Sequence, residues 1–140
     1  ITRPQSETMR AAMQLALKDA AISPDLIGHV NAHATATRQG DIAESTATHE
    51  IFGSQTPVSS YKGYLGHTLG ACGALESFIS VMMMNEGLFY PNLNLRDIDP
   101  QCAPLRYLTQ PQEIKTDYVM NNNFAFGGVN TSLIFKKFID

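Results

Sequence analysis

Apolar residues recur at helical spacing in three segments of the chain. Between residues 6 and 21 they return every three or four positions, starting with Met9 and Met13, and Ser6 is the expected N-cap. A second helix is predicted over residues 41–52. A third, over residues 70–86, is apolar around most of its circumference, so it is expected to be buried on most sides.

Short apolar runs between and after these helices predict strands at residues 27–32, 56–60, 118–122 and 129–136. Strands that alternate with helices indicate a mixed, mostly parallel α/β sheet. The last two strands are joined by a short glycine turn, so that pair is expected to be antiparallel. Residues 91–111 are rich in proline and are interpreted as loop.

Composition excludes several classes of protein. With 44% hydrophobic and 16% charged residues the chain is globular, and its net charge of −3 gives no basic footprint for nucleic acid. No apolar run approaches the roughly 20 residues of a membrane span. Two cysteines are too few for a disulfide scaffold, which favours a reducing cytoplasm. The chain opens on Ile1 rather than on methionine, so we expect it to be a piece of a longer protein.

Metal and phosphate chemistry have little support in the sequence. Four histidines and two cysteines are present, but their spacing contains no short metal-binding pair. No glycine loop of the phosphate-binding type occurs. We expect His29 and His49 to lie on the surface of their elements.

Three polar or glycine-rich segments stand where predicted strands end. His33 follows the first strand, Lys62 and His67 flank two glycines, and the final turn holds two phenylalanines. In open α/β sheets such ends meet at one rim, so the segments should converge there. Taken singly, His33 is equally consistent with a strand-end histidine held by turn hydroxyls, and Lys62 with an ordinary surface cation.

Together the three motifs resemble the β-ketoacyl synthase family of the thiolase-like fold. The family pattern is Asn-x-His-Gly-Thr-x-Thr-x-x-Gly-Asp, then Lys-x-x-x-Gly-His-x-x-Gly-Ala-x-Gly, then Asn-x-Phe-Gly-Phe-Gly-Gly-x-Asn. The matching residues here are Asn31, His33, Thr35, Thr37, Gly40 and Asp41, then Lys62, Gly66, His67, Gly70, Ala71 and Gly73, then Asn122, Phe124, Phe126, Gly127, Gly128 and Asn130. The resemblance identifies residues 1–140 as a partial C-terminal domain.

The resemblance implies a decarboxylating Claisen condensation of malonyl-carrier protein with an acyl thioester. His33 and His67 would hydrogen-bond the malonyl thioester carbonyl, and Lys62 would organise the site, with Glu44 as its expected partner. The amide of Phe126 would form half of an oxyanion hole and its ring would act as a gate. The remaining implied site residues are Thr35 and Thr37 on the phosphopantetheine arm, Phe124 in the pocket wall, and Asp41, Gly127 and Gly128 in support.

The same resemblance gives expectations about partners and cofactors. Acyl carrier protein would deliver the substrate on its own phosphopantetheine, so no cofactor bound to this chain is expected. The parent synthase would be a homodimer or heterodimer. The family's nucleophilic cysteine lies before this region, and neither Cys72 nor Cys102 matches it, so the chain alone is expected to be inactive.

Three departures from the family pattern, Ala34, Ala36 and Ala125, stand where glycine or serine is usual and indicate a divergent synthase. The strand that opens this half of the fold also has no counterpart, so we expect a gap or an unpaired sheet edge, and association with a partner or with itself. A non-catalytic, chain-length-factor-like subunit is the alternative. A thiolase is disfavoured because no cysteine follows Cys102.

Overall fold

The computed structural model describes residues 4–138, with Phe126 described by its backbone alone. The helices are α1 (Ser6–Ala20), α2 (Arg38–Phe52), α3 (Lys62–Leu65) and α4 (Cys72–Glu86), and 3₁₀ turns lie at Pro24–Leu26, Leu69–Ala71 and Phe126–Gly128. The strands are β1 (Ile27–Asn31), β2 (Pro57–Ser59), β3 (Leu88–Phe89), β4 (Arg106–Tyr107), β5 (Gln112–Glu113), β6 (Tyr118–Phe124) and β7 (Asn130–Lys136).

Five strands form one sheet in the order β4-β2-β1-β6-β7. The β4, β2, β1 and β6 strands run parallel, and β7 pairs antiparallel with β6 along its whole length, from Tyr118 opposite Lys136 to Phe124 opposite Asn130. The mixed, mostly parallel sheet is therefore confirmed. The sheet has no internal gap, and β4 and β7 are its two edge strands within the described residues.

Two apolar clusters pack the sheet. Met9, Met13 and Leu17 of α1 lie on one face, in a cluster that includes Val30 of β1 and Met120 of β6. On the other face, α4 contributes to a second cluster of Tyr61, Met83, Met84, Phe89, Leu108 and Val119. The periodicity of α1 thus correctly predicts its buried side.

Several boundaries differ from expectation for local reasons. Gln5, not Ser6, is the N-cap of α1, and α2 begins three residues early at Arg38 because Thr37 already accepts the Asp41 amide. The glycine turn after β2 is helical, since the Gly66 amide donates to the Lys62 carbonyl. The proline-rich segment contains the short strand β4, which pairs with β2.

The prediction that α4 is buried on most sides was wrong for the described chain. The helix buries Cys72, Glu76 and Ser80 against the sheet together with Met83 and Met84. It exposes an outward face formed by Leu75, Phe78 and Met82, with relative exposures of 42%, 64% and 43%. Apolar residues surround most of α4, so the sequence does not show which side of the helix is buried. The polar residues on the buried side satisfy one another in the interior of the protein.

His29 was also predicted wrongly. It is fully buried in β1, where its Nε2 lies 2.7 Å from the Ser59 hydroxyl and its ring lies against Phe89. His49 lies at the end of α2 beside Ser54, as expected of a surface histidine. Within residues 4–138 no helix is long and apolar enough to cross a membrane, and no group of three metal-ligating side chains is found.

Candidate active site

Three segments distant in sequence meet at the carboxyl end of the central strands. His33 lies two residues after β1, and its ring centroid is 5.4 Å from that of His67, which it meets edge to face. The ring of Phe124, at the end of β6, is 6.2 Å from His33. The convergence predicted from strand ends is therefore present, with two imidazoles at its centre.

A buried carboxylate shapes the loop that carries His33. The backbone amides of His33 and Ala34 each donate to one oxygen of Glu44, both at 2.7 Å. Glu44 is not the partner of Lys62, so that expectation was wrong. The Glu44 side chain projects from α2 beneath the loop, where two donors one residue apart fit its two oxygens.

The same loop holds two alanines in left-handed backbone conformations. Ala34 has φ of 31° and Ala36 has φ of 60°. A side chain at positive φ costs roughly 1–2 kcal/mol, and glycine avoids this cost. The loop beside His33 is therefore strained where the family pattern has glycine or serine, and the Glu44 hydrogen bonds hold it in place.

Burial sets the protonation of the Glu44 and His33 side chains. Desolvation raises the pKa of Glu44 to about 7, although the amides of Ala34 and His33 and the charge of Lys62 oppose the shift and Asp41 adds to it. Desolvation, with the nearby Lys62 and His67, lowers the pKa of His33 to about 4. His33 is therefore neutral at pH 7 and carries a single ring proton.

His67 has a defined donor atom. The Leu69 amide donates to His67 Nδ1 at 3.3 Å, so in the neutral ring the proton lies on Nε2. His33 Nδ1 is buried and has no hydrogen-bond partner among the described residues. His67 Nε2 is therefore a donor in the neutral ring, and neutral His33 also carries one N–H.

Lys62 is fixed by a carboxylate that sequence reasoning missed. Its Nζ lies 2.7 Å from Glu76 Oε1, and the two side chains are 7% and 3% exposed. Because desolvating both charges costs several kcal/mol, this pair requires further hydrogen bonds. Cys72 Sγ donates to Oε1 at 3.2 Å, while Asn31 and Asn123 donate to Oε2 at 3.1 and 3.3 Å.

A signal for Glu76 was present in the sequence. It is the only Asp, Glu, Lys or Arg between Lys62 and Glu86, in an otherwise apolar helix. A lone carboxylate in such a helix needs a buried partner. The amide of Asn121, which bonds Ser77 and contacts Asn31, was likewise missed, because the resemblance matched its neighbour Asn122 instead.

The two threonines lie side by side in the loop between His33 and α2. Their hydroxyls are 3.1 Å apart, and both point toward Gly40, where a Cβ atom would stand 2.5 Å from Thr37 Oγ1. A side chain at position 40 would therefore have to displace the Thr37 hydroxyl. Burial raises the pKa of Asp41, the next residue on α2.

The last turn closes the site with an unusual backbone. The Ala125 amide donates to the Val129 carbonyl at 2.9 Å, and Gly127 and Gly128 have φ of 84° and 81°. Successive left-handed residues explain the glycine pair. The side chain of Phe126 lies outside what the structure describes, so its predicted gating role stays a prediction, and only its backbone can be placed in this turn.

Neither thiol in the described chain is poised as a nucleophile. Burial raises the pKa of Cys72, whose S–H is engaged by Glu76, and burial likewise raises the pKa of Cys102. A reactive cysteine needs a lowered pKa. The arrangement is therefore suited to stabilising an oxyanion with two imidazoles, and a covalent step requires a nucleophile from elsewhere.

Comparison with known proteins agrees with this geometry. The family described as "Beta-ketoacyl synthase, C-terminal domain" matches residues 1–96. The 3-oxoacyl-[acyl-carrier-protein] synthase 2 of Coxiella burnetii is 37% identical over 140 residues, covering 98% of this chain and 34% of the relative. The chain thus spans about a third of that relative's length.

Solved structures give the same result. A β-ketoacyl synthase from Burkholderia phymatum superposes with a TM-score of 0.96 at 53% identity, covering 99% of this chain and 34% of that one. A structure described as a type II acyl-carrier protein in complex with its ketosynthase superposes with a TM-score of 0.91 at 28% identity over 99% of this chain and 35% of that one.

Proposed function

Because this chain belongs to the β-ketoacyl synthase family, we propose that it supplies the decarboxylating part of a β-ketoacyl-acyl-carrier-protein synthase. The observation that carries the proposal is the edge-to-face contact of His33 and His67, with His33 held neutral beside the buried Lys62–Glu76 pair. The nucleophilic cysteine would come from the part of the relatives that this chain does not span.

The proposed step breaks the bond between the malonyl α-carbon and its carboxylate. Carbon dioxide leaves, and the bonding pair moves into the thioester to form an enolate. His33 and His67 each donate an N–H to the developing enolate oxygen, which is worth about 3 kcal/mol per donor. The enolate carbon then attacks the acyl thioester held on the nucleophile, and the thiolate leaves with its electron pair.

Other residues would act on binding and positioning. Lys62, held by Glu76, places a positive charge beside the imidazoles and helps to keep His33 neutral. Thr35 and Thr37 would hydrogen-bond the phosphopantetheine arm, and Phe124 would wall the pocket. The Phe126 amide would serve as an oxyanion donor, in a backbone shaped by Gly127 and Gly128.

The proposed substrate carrier is an acyl carrier protein, and the cofactor is the phosphopantetheine attached to it. Support comes from the related ketosynthase whose structure contains a carrier protein. We further propose a cytoplasmic location and a dimeric parent synthase, as in the expectations from sequence.

The test is carbon dioxide release from malonyl-carrier protein by a chimaera. This chain would replace the matching region of the Burkholderia phymatum synthase, to which it is 53% identical. We expect His33→Ala and His67→Ala to lower the release rate by roughly 10²–10³-fold each. His49→Ala, on α2 away from the site, is the matched control and should change the rate less than twofold.

The isolated 140-residue chain is expected to release no carbon dioxide. A folded chimaera whose rate is unchanged by His33→Ala would refute the assigned role. Such a result would favour the non-catalytic, chain-length-factor-like alternative.

A further inference from the structure

Tyr61, the residue directly before Lys62, is the buried N-cap of α3. It is 1% exposed, and its carbonyl accepts the amides of Tyr64 and Leu65 at 3.0 and 3.2 Å. The helical turn that begins there carries Lys62 at its first position and ends two residues before His67. The position of Tyr61 therefore determines where the backbone of Lys62 lies.

Two consecutive side chains of this turn contact the same side of α4. The Lys62 ammonium pairs with Glu76 at 2.7 Å, and the Tyr61 ring belongs to the apolar cluster that contains Met83. Glu76 and Met83 are both buried and stand about two helical turns apart. The turn cannot slide along α4 without losing one of these two contacts, so the Tyr61 ring and the ion pair fix each other.

A second buried ring holds Tyr61 in place. The imidazole of His29 stacks on it, with the ring centroids 6.2 Å apart and the planes 13° from parallel. His29 is itself fixed by Phe89, whose ring centroid is 4.6 Å away, and by the Ser59 hydroxyl at 2.7 Å. Burial lowers the pKa of His29 to about 3, so this ring is neutral and brings no charge near Lys62.

The ring of Tyr61, rather than its hydroxyl, makes the contact that matters. The hydroxyl is buried without a hydrogen-bond partner among the described residues, although the hydroxyls of Ser80 and Ser59 are near enough to act on its pKa. A buried hydroxyl without a partner does not stabilise the fold. Loss of the ring and loss of the hydroxyl should therefore have different effects.

We propose that Tyr61, held by the stacked ring of His29, is a positioning residue that sets how close the Lys62 ammonium stands to His33. This role rests on the proposed function for its catalytic meaning, because the decarboxylation uses His33 in its neutral form. The placement of Lys62 itself can be measured without catalysis.

The consequence of the placement is electrostatic. Burial is the first cause of the lowered pKa of His33, and the charges of Lys62 and His67 add to it. Glu44, the carboxyl group beneath the same loop, engages the His33 amide. If Lys62 moves away, protonated His33 becomes less unfavourable and the ring takes up a proton at higher pH.

An NMR titration of the histidine rings in the full 140-residue chain tests the proposal. The chain has four histidines, and single histidine variants assign their signals. We expect Tyr61→Leu to raise the pKa of His33 from about 4 by at least roughly 0.5, which is about a threefold change in the ratio of protonated to neutral ring. Tyr61→Phe keeps the ring and should leave the His33 titration at the parent value.

Leu108→Ala is the matched control for general loosening of the core. Leu108 is 4% exposed in the same cluster as Tyr61, and its truncation should leave the His33 titration unchanged. Circular dichroism confirms that each variant is folded. Tyr61→Met, which keeps an unbranched apolar side chain, takes the place of Tyr61→Leu if the latter does not fold, and the same rise is expected.

Two results would overturn the proposal. One is a folded Tyr61→Leu or Tyr61→Met chain in which His33 titrates as in the parent, and the other is a Leu108→Ala chain in which His33 shifts as far as in Tyr61→Leu. The chimaeric synthase separates this proposal from the proposed function. If His33→Ala leaves carbon dioxide release unchanged while Tyr61→Leu still shifts the His33 titration, the catalytic role fails and the positioning of Lys62 by Tyr61 stands.

Discussion

Removing Glu76 should destabilise the fold far more than removing a surface carboxylate. In Glu76→Ala the Lys62 ammonium stays in a position where its side chain is only 7% exposed, without its ion-pair partner. Breaking a buried pair in this way costs about 3–5 kcal/mol, because one charge is left desolvated. The loss includes the acceptor for Cys72 and for the two asparagine amides.

Two comparisons isolate the buried charge as the cause. The double variant Lys62→Met with Glu76→Leu removes both charges and should recover the part of the lost stability that comes from the desolvated ammonium. Glu50→Ala removes the Arg10–Glu50 pair, whose side chains are 39% and 42% exposed, and should cost at most about 1 kcal/mol.

The assay is urea unfolding followed by circular dichroism, with all variants at one protein concentration because association shifts apparent stability. The result that would refute the reasoning is a Glu76→Ala cost no greater than that of Glu50→Ala. A double variant less stable than Glu76→Ala would also contradict it.

Three further predictions concern the loop after β1 and the histidine within that strand. Glu44 has a folded pKa of about 7 against an unfolded value of 4.5. Its contribution to stability therefore falls by about 3 kcal/mol as pH rises from the unfolded to the folded pKa. Glu44→Gln should abolish this pH dependence of the free energy of unfolding, measured with urea. Ala34→Gly and Ala36→Gly relieve positive φ and should each raise the free energy of unfolding by about 0.5–1 kcal/mol, measured by thermal melting. Burial lowers the pKa of His29 to about 3, so the stability that neutral His29 contributes is lost as pH falls below 6.5. His29→Phe should leave Ser59 unpaired at neutral pH, which costs about 1–3 kcal/mol of stability. Between pH 6.5 and 5, however, the variant should lose about 2 kcal/mol less stability than the parent.

Matched substitutions control these experiments. Glu50→Gln, at an exposed site, should leave the pH dependence of stability unchanged. Ala43→Gly, inside α2, should destabilise by about 1 kcal/mol, opposite in sign to Ala34→Gly. If Ala34→Gly destabilises the fold as much as Ala43→Gly does, the strain argument is contradicted. His49→Phe should not change the loss of stability at acid pH in the way that His29→Phe does.

The sequence predicted the fold wherever one residue pattern had one physical interpretation. The spacing of Met9, Met13 and Leu17 identified the buried side of α1, and strand ends correctly placed His33 beside His67. The family resemblance added roles for these residues that spacing alone could not supply.

Prediction failed where polar residues satisfy one another inside. Glu76 and Ser80 look like surface residues of α4, yet they are buried because Lys62 and the asparagines lie opposite them, and the apolar Phe78 is exposed instead. The partner of Lys62 was misassigned for the same reason, since two carboxylates were available and only the three-dimensional arrangement separates their roles. The positive φ of Ala34 is visible only in the structure, because alanine disfavours this conformation and its presence in the sequence does not indicate it.

The central claim is that His33 and His67 share one carbonyl oxygen of a malonyl thioester. The most direct measurement is a crystal structure of the chimaeric synthase with a malonyl analogue whose thioester is replaced by an amide. The account predicts the amide oxygen at about 3 Å from an imidazole nitrogen of both histidines. An oxygen bound elsewhere in the site, in contact with neither ring, would contradict it.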